Sequence, residues 1–190
     1  MKVRLSLLQA VVLLSVVSAQ TPPPSLVSDM EGKLQHIASN AEIASPDQTP
    51  TELSEEEVNA WFGAGKVGLP AGVKSVVLSG QPGIVSGTAR VDFDQVRAGR
   101  SSYNPLLSVF NGEHNVGVVA HAQGAGGEGI VQVDRVTLDE VEIPRFALQM
   151  FVEKYVTPKY PNVGLDSRFP LPDRIDTATV GSHKLILTQK

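Results

Sequence analysis

Histidines are the side chains of this sequence best suited to metal binding or acid–base catalysis, and there are four of them. His114 and His121 fall seven residues apart in one predicted strand. Because side chains alternate across a strand, an odd separation places the two rings on opposite faces, and without an intervening bulge they cannot bind one metal ion. The others are His36 and His183. We therefore expect surface histidines and no metal site.

Asp92 and Asp94 form the second candidate, because they share one face of a predicted strand with Arg90. Two carboxylates on one face could act as acid and base or bind calcium. A solvated strand face accounts for them equally well, and no third acidic ligand lies close in the sequence. One alternative stays open, a hydrolase in which either aspartate meets His114 or His121 from a neighbouring strand.

The sequence motifs of nucleophilic and nucleotide chemistry are missing. The serines do not form a Gly-x-Ser-x-Gly turn. Gly124, Gly126, Gly127 and Gly129 lie between two predicted strands, so no helix N-terminus follows them to bind phosphate. The absence of cysteine excludes thiol catalysis, zinc–thiolate sites and iron–sulfur clusters. We therefore expect a non-enzymatic protein without a cofactor.

The N-terminus has the pattern of a secretory signal peptide. Lys2 and Arg4 precede an apolar run over residues 5–17, and small residues end it before a predicted cleavage after Ala19. The run is short for a membrane span, which needs about 20 apolar residues, although an uncleaved anchor stays an alternative. We predict a signal peptide over residues 1–19 and export to the periplasm or the exterior, with no transmembrane span after cleavage.

The charge of the chain argues against one class of partner. The formal net charge is −4, and cleavage of the signal would remove two basic residues. Affinity for nucleic acids depends on neutralising phosphates with Lys and Arg. We therefore expect no nucleic-acid partner.

Apolar patterning beyond a disordered, proline-rich leader (residues 20–24) predicts one α+β domain over residues 25–190. Spacings of three and four indicate helices, and alternation indicates strands. Helices are predicted over residues 25–41, 54–62 and 145–156, a helical turn over 106–110, strands over 73–79, 84–96, 114–123, 129–143, 174–180 and 183–188, and an irregular crossing over 157–173. We expect a long, curved antiparallel sheet of about six strands packed on two or three amphipathic helices.

The start of the second helix carries the sharpest local signal. Ser54 and Glu57 have the spacing of a capping box, in which each side chain bonds the backbone N–H of the other residue. Leu53 and Val58 are placed to pack across that cap as a hydrophobic staple. The sequence therefore predicts a helix that begins after Ser54.

The predicted strand over residues 129–143 is unusually long, and its apolar positions change parity within it. The first change falls at Asp134 and Arg135, and the pattern changes back at Val141 and Ile143. A change of parity within one strand is what a bulge produces, and bulges bend sheets. The pattern therefore predicts a curved sheet.

Small residues along the middle strands predict either close packing of a helix or room for a ligand. The chain has six Phe, three Tyr and one Trp, so few bulky groups are present to fill a long groove. This favours a cavity between sheet and helices. The candidate groove residues are Val85, Ala89, Val91, Phe93, Val118, Ala120, Phe146 and Met150.

The order of the elements resembles a known group of exported bacterial proteins. The segments LSEEEVNAWF, VDFDQV and VTLDEVEIP, the last running into a helix at Pro144, carry this resemblance. The chain resembles the tubular lipid-binding superfamily, in particular its lipomannan-elongation-factor-like group. The resemblance implies a curved sheet around a long helix, an apolar groove that binds acyl chains, and no catalysis. It supplies pattern only, so no individual functional residue is transferred from it.

Two functional hypotheses follow. The first is an exported, non-enzymatic protein that binds an apolar ligand such as a lipid between sheet and helices. The alternative is a structural or interaction module of the cell envelope that binds a protein partner and fills the groove with its own helices.

Overall fold

Nine antiparallel strands form one sheet in the computed structural model, which describes residues 23–98, 111–158, 161 and 163–190. The predicted fold class is confirmed: the protein is α+β and is built on a large antiparallel sheet, with nine strands rather than about six. The strands are β1 (Thr51–Ser54), β2 (Val73–Gln81), β3 (Ile84–Asp92), β4 (Glu113–Ala125), β5 (Glu128–Leu138), β6 (Val141–Glu142), β7 (Asp166–Pro170), β8 (Ile175–Gly181) and β9 (Lys184–Gln189).

The two longest strands, β4 and β5, pair with each other along most of their length and form the centre of the sheet. On the far side of β4, β3 pairs with its first part and β8 with its last part. Strand β2 pairs with the outer edge of β3. Strand β9 pairs with the outer edge of β8, and β1 pairs with β9. On the far side of β5, β6 and β7 pair with its two ends.

Helices occupy four places in the described chain. Helix α1 (Pro24–Ala41) begins with a proline in its first turn, where the missing N–H costs nothing. Helix α2 (Glu55–Gly63) begins at the predicted capping box, and both of its hydrogen bonds are present. The others are α3 (Phe93–Arg97) and α4 (Arg145–Phe151), the latter continued by a π-helical turn (Val152–Val156). The turn predicted over residues 106–110 lies outside the described residues.

The predicted strand over residues 84–96 is wrong at its end, because the strand stops at Asp92. The Asp92 carboxylate accepts hydrogen bonds from the backbone N–H groups of Asp94 (3.0 Å) and Gln95 (3.1 Å) and thereby caps α3. An aspartate side chain that binds the backbone in this way competes with strand pairing. Phe93 and Asp94 consequently belong to a helix and do not alternate with the strand residues before them.

The predicted strand over residues 129–143 is also wrong at its end. At Asp139 and Glu140 the backbone enters the left-handed region (φ 46° and 70°), and β6 returns along β5. The first change of parity, by contrast, is the predicted bulge. Val119 faces Arg135 and Ala120 faces Val133, so that Asp134 is the extra residue on β5.

The apolar core falls into two separate clusters. The first, called here the α1–α2 cluster, is formed by α1, β1, β8 and β9 and contains Met30, Ile37, Leu53, Ile175 and Leu187, with residues of α2 packed against it. The second, called here the α3–α4 cluster, contains Phe93 and Leu138, with Val91, Val116, Ile143 and Phe151 packed against them. No large side chain of the described residues is completely buried. The packing between sheet and helices is therefore concentrated at two places.

Candidate functional site

Five of the eight predicted groove residues lie on one face of the sheet. Val85 faces Ala120 across the β3–β4 pair, and residues directly opposite each other on antiparallel strands share a face. The alternation along each strand then places Ala89, Val91 and Val118 on that face as well. We call it the apolar face.

The same face carries both core clusters and an uninterrupted strip between them. Gly124 of β4 faces Ala178, which packs in the α1–α2 cluster. Farther along β4, Val116 packs in the α3–α4 cluster. The residues of β3, β4 and β5 between them, called here the middle strip, belong to neither cluster as described, and Leu78 of β2 borders them beside Gly87. The members of the strip are Val85, Gly87, Ala89, Val118, Ala120, Ala122, Val131, Val133 and Val136.

Small and β-branched side chains line the middle strip. Ala120 is buried, and the other members are half-buried. At Gly87 a Cβ atom would lie 3.1 Å from Cδ2 of Leu78 on the neighbouring strand. The strip has no aromatic side chain and no charged one. Its chemistry suits an apolar group laid along the strands.

The structure does not bring the other four predicted groove residues to the strip. Val91 lies on the apolar face but packs in the α3–α4 cluster. Phe93 is buried in the α3–α4 cluster, where its ring stands edge-on to His114 with centroids 5.6 Å apart. Phe146 is 71% exposed and Met150 is 54% exposed, both on α4. Phe93 therefore serves the core, and the two residues of α4 face solvent.

The opposite face of the middle strands is polar. On it the imidazole of His121 lies 2.7 Å from the carboxylate of Asp134, the bulge residue, and Arg90 lies 3.4 Å from Glu113. All four side chains are at least two-fifths exposed. This arrangement is typical of an antiparallel sheet with one solvated face, and it leaves the other face for apolar contacts.

The histidine and aspartate pairs in the structure are not those considered for a hydrolase. His114 Nδ1 lies 2.5 Å from the carboxylate of Asp139, and its Nε2 lies 3.2 Å from the carbonyl oxygen of Asn111. Asp92 caps α3, and Asp94 accepts a hydrogen bond from the N–H of Gly112. Asp139, a partner that the sequence did not indicate, lies at the β5–β6 turn and reaches His114 from there.

No three histidine or acidic side chains lie close enough together to hold a metal ion in the part of the chain that the structure describes. The outer side of α1 and α2 has an open depression, which shares no residue with the middle strip. It is lined by Glu31, Gly32, Leu34, Gln35, Ala38 and Trp61. Beside it Lys66 bonds Glu31 at 2.7 Å.

The pairing of His114 with Asp139 predicts a pH dependence. The hydrogen bond that His114 donates to the Asp139 carboxylate raises the pKa of His114 and lowers the pKa of Asp139. A raised histidine pKa stabilises the fold below the ordinary value of about 6.5 and loses this effect as the pH rises through the raised pKa. A lowered aspartate pKa stabilises the fold above about 3.9 and loses this effect as the pH falls.

The pair therefore contributes most between these two ordinary values. We expect an NMR titration of the His114 ring to give a pKa above that of a free histidine, and Asp139→Asn to return it toward that value. A His114 pKa that does not respond to Asp139→Asn would contradict the pairing.

The fold and the site together define a class of protein. It is an α+β protein whose sheet has one apolar face, and helices pack on that face at two separate places. No protein-family model, curated protein or solved structure matches the chain. None of the helices in the described ranges is long and apolar enough to cross a lipid bilayer.

Proposed function

We propose that this chain is an exported, non-enzymatic protein that binds an apolar ligand such as a lipid along the middle strip. The observation that carries the proposal is the gap between the two core clusters of the described residues, where β3, β4 and β5 present only small and β-branched side chains on the apolar face and Leu78 of β2 borders them. Transfer of apolar surface from water is worth about 25 cal/mol per Å². A ligand that covers the strip would gain this free energy from protein and ligand surface together.

Two further observations support the proposal. The polar character of the opposite face leaves the apolar face as the surface for an apolar ligand. The charged start and apolar run of residues 1–17 support export, and the lack of cysteine fits a fold that does not depend on disulfides.

The direct test is to extract the purified protein with organic solvent and to analyse the extract by mass spectrometry. We expect a co-purified lipid in near-stoichiometric amount, and uptake of a fluorescent fatty acid by the stripped protein. A clean extract together with no uptake would end the proposal. Specific capture of an envelope protein without lipid would favour the alternative, an interaction module whose strip is covered by its own helices.

A pair of neighbouring substitutions tests the location of the ligand. Ala89 lies on the apolar face, whereas Thr88 is exposed on the polar face of the same strand. Ala89→Trp fills part of the strip and should raise the dissociation constant of the fluorescent fatty acid about tenfold or more. Thr88→Trp introduces the same side chain on the other face and should leave it unchanged.

Circular dichroism and thermal unfolding of both variants show whether the sheet is retained. If Ala89→Trp does not fold, Val118→Phe fills the same strip with a smaller change in volume. Equal affinity in a folded strip variant and in Thr88→Trp would place the ligand elsewhere.

A further inference from the structure

Large exposed apolar side chains are concentrated on one side of the molecule. Seven such residues are found in the described chain, and five of them lie on β6, α4, β7 and the loop before β7. These elements follow or pair with the outer edge of β5. The five are Val141 (70% exposed), Phe146 (71%), Met150 (54%), Val163 (49%) and Phe169 (40%), and we call them the apolar flank.

Helix α4 has apolar side chains on both its sides. Ala147, Leu148 and Phe151 are half-buried, and Phe151 packs in the α3–α4 cluster. Phe146 and Met150, four residues apart, form an exposed apolar pair on the helix surface. Large apolar side chains that are exposed together usually mark a contact surface. The outer side of α4 is therefore suited to contact with another apolar surface.

Ion pairs hold the flank in place and neutralise its arginines. Arg145 donates to the carbonyl oxygen of Val133 (2.9 Å) and to the carboxylate of Asp166 (2.7 Å). Arg168 lies 3.3 Å from the carboxylate of Glu128. The two bonds of Arg145 join the start of α4 to β5 and β7. The exposed side chains of α4 therefore belong to a helix that is attached to the sheet.

The charges around the flank select its partner. Three glutamates (Glu140, Glu142 and Glu153) and one lysine (Lys154) are exposed beside it, which leaves a net negative charge, and the two arginines are paired with acidic residues. An anionic membrane would repel this acidic rim. A second copy of the chain would bring two such rims together, which is also unfavourable. A zwitterionic lipid surface offers apolar depth without net charge, and phenylalanine and methionine side chains can insert into it.

We propose that the apolar flank docks on the surface of a zwitterionic lipid bilayer. This inference rests on the proposed function and deepens it. The bilayer would be the source from which an apolar ligand reaches the middle strip. The α3–α4 cluster connects the two surfaces, because it joins α4 to the end of the strip.

The test measures binding of the ligand-free protein to phosphatidylcholine vesicles by flotation. We expect binding to these vesicles, and no gain when phosphatidylglycerol is included. The double variant Phe146→Ser/Met150→Ser should lower the partition coefficient about tenfold or more, because two large apolar side chains are lost. Val77→Ser is the matched control: Val77 is 59% exposed but lies on the polar face of β2, and its removal should change nothing.

Three results would overturn the inference: no binding of the unaltered protein, equal binding of the double variant, or binding that requires phosphatidylglycerol. Concentration-dependent dimerisation that the double variant abolishes, without vesicle binding, would assign the flank to a second copy instead. Uptake of a fluorescent fatty acid in vesicle-free solution separates the two proposals. It should be retained by the double variant, so that failure of docking is distinguished from failure of the ligand site.

Discussion

Replacing Gln189 with leucine should lower the free energy of unfolding by about 3 kcal/mol, because three hydrogen bonds in a buried position are lost. The side-chain amide donates to the carbonyl oxygens of Ile37 (2.8 Å) and Asp173 (2.6 Å). Its oxygen accepts from the amide of Asn40 (2.8 Å). Only 6% of Gln189 and 4% of Asn40 is exposed, so water cannot replace these partners without opening the structure.

Asn40 completes the network on the other side. Its amide nitrogen also donates to the carbonyl oxygen of Asp47, and its oxygen accepts from the N–H of Asp47, both at 2.8 Å. The two amides thus join the end of α1, the segment after it and the last strand of the sheet. Because α1 covers the α1–α2 cluster, loss of this connection would loosen one boundary of the middle strip.

Chemical denaturation of single and double variants tests the network. Asn40→Leu should cost about as much as Gln189→Leu, and the double variant should cost clearly less than the sum, because each single change already leaves its partner unpaired. Lys190→Ala is the control: Lys190 is next in the chain, but its pair with Asp176 is on the surface and is worth at most about 1 kcal/mol. Additive costs for the two amides would contradict the network.

The parts of the fold that local chemistry determines could be predicted from the sequence. The capping box at Ser54 needs only residues within one helical turn, and the structure forms both of its bonds. The bulge at Asp134 was visible because an extra residue changes which apolar positions share a face. The last two strands, β8 and β9, were likewise predicted, over residues 174–180 and 183–188.

The elements of the fold that could not be predicted from the sequence depend on contacts between residues far apart in the chain. Strand β7 lies in a proline-rich segment predicted to be irregular, and it exists because β5 offers a free edge. Strand β1, just before α2, pairs with β9, which lies 130 or more residues later in the chain. The turn at Asp139 and Glu140 has no glycine, which is the usual signal for two successive residues at positive φ.

The candidate site shows the same division between features that local chemistry determines and features that long-range contacts determine. Alternation within a strand is a local rule, so it placed Val85 with Ala89 and Val118 with Ala120. The register of β3 on β4, a long-range contact, brings the two pairs to one face. Phe93 was misplaced because the capping side chain of Asp92 ends the strand one residue earlier. Exposure of Phe146 and Met150 depends on where α4 packs, and that depends on the reversal of the chain after Leu138.

Replacing Glu57 with alanine should lower the free energy of unfolding by about 3 kcal/mol, because a nearly buried carboxylate leaves both a cation and a helix cap without their partner. Its two oxygens lie 2.6 and 2.8 Å from Nζ of Lys33 on α1. One of them also accepts from the N–H of Ser54 at 2.7 Å. Glu57 therefore joins α1 to the first turn of α2.

The protonation of Glu57 should couple this junction to pH. Burial acts to raise the pKa of the Glu57 carboxyl, but the hydrogen bonds from Lys33 and Ser54 outweigh it and hold the pKa below the ordinary value. A lowered carboxyl pKa stabilises the fold above the ordinary value of about 4.3, and this stability is lost as the pH falls through the lowered pKa. The alanine variant should lack that part of the acid sensitivity.

Two further variants separate the charge from the cap. Glu57→Gln keeps a side chain that can bond the Ser54 N–H, and should cost only about half as much as alanine. Glu56→Gln changes a neighbouring exposed glutamate in the same first turn, and should cost no more than a few tenths of a kcal/mol, roughly the helix-dipole contribution. If denaturation gave Glu57→Ala the same small effect as Glu56→Gln, the ion pair with Lys33 would not hold α1 against α2, and the boundary of the middle strip would have to depend on apolar packing alone.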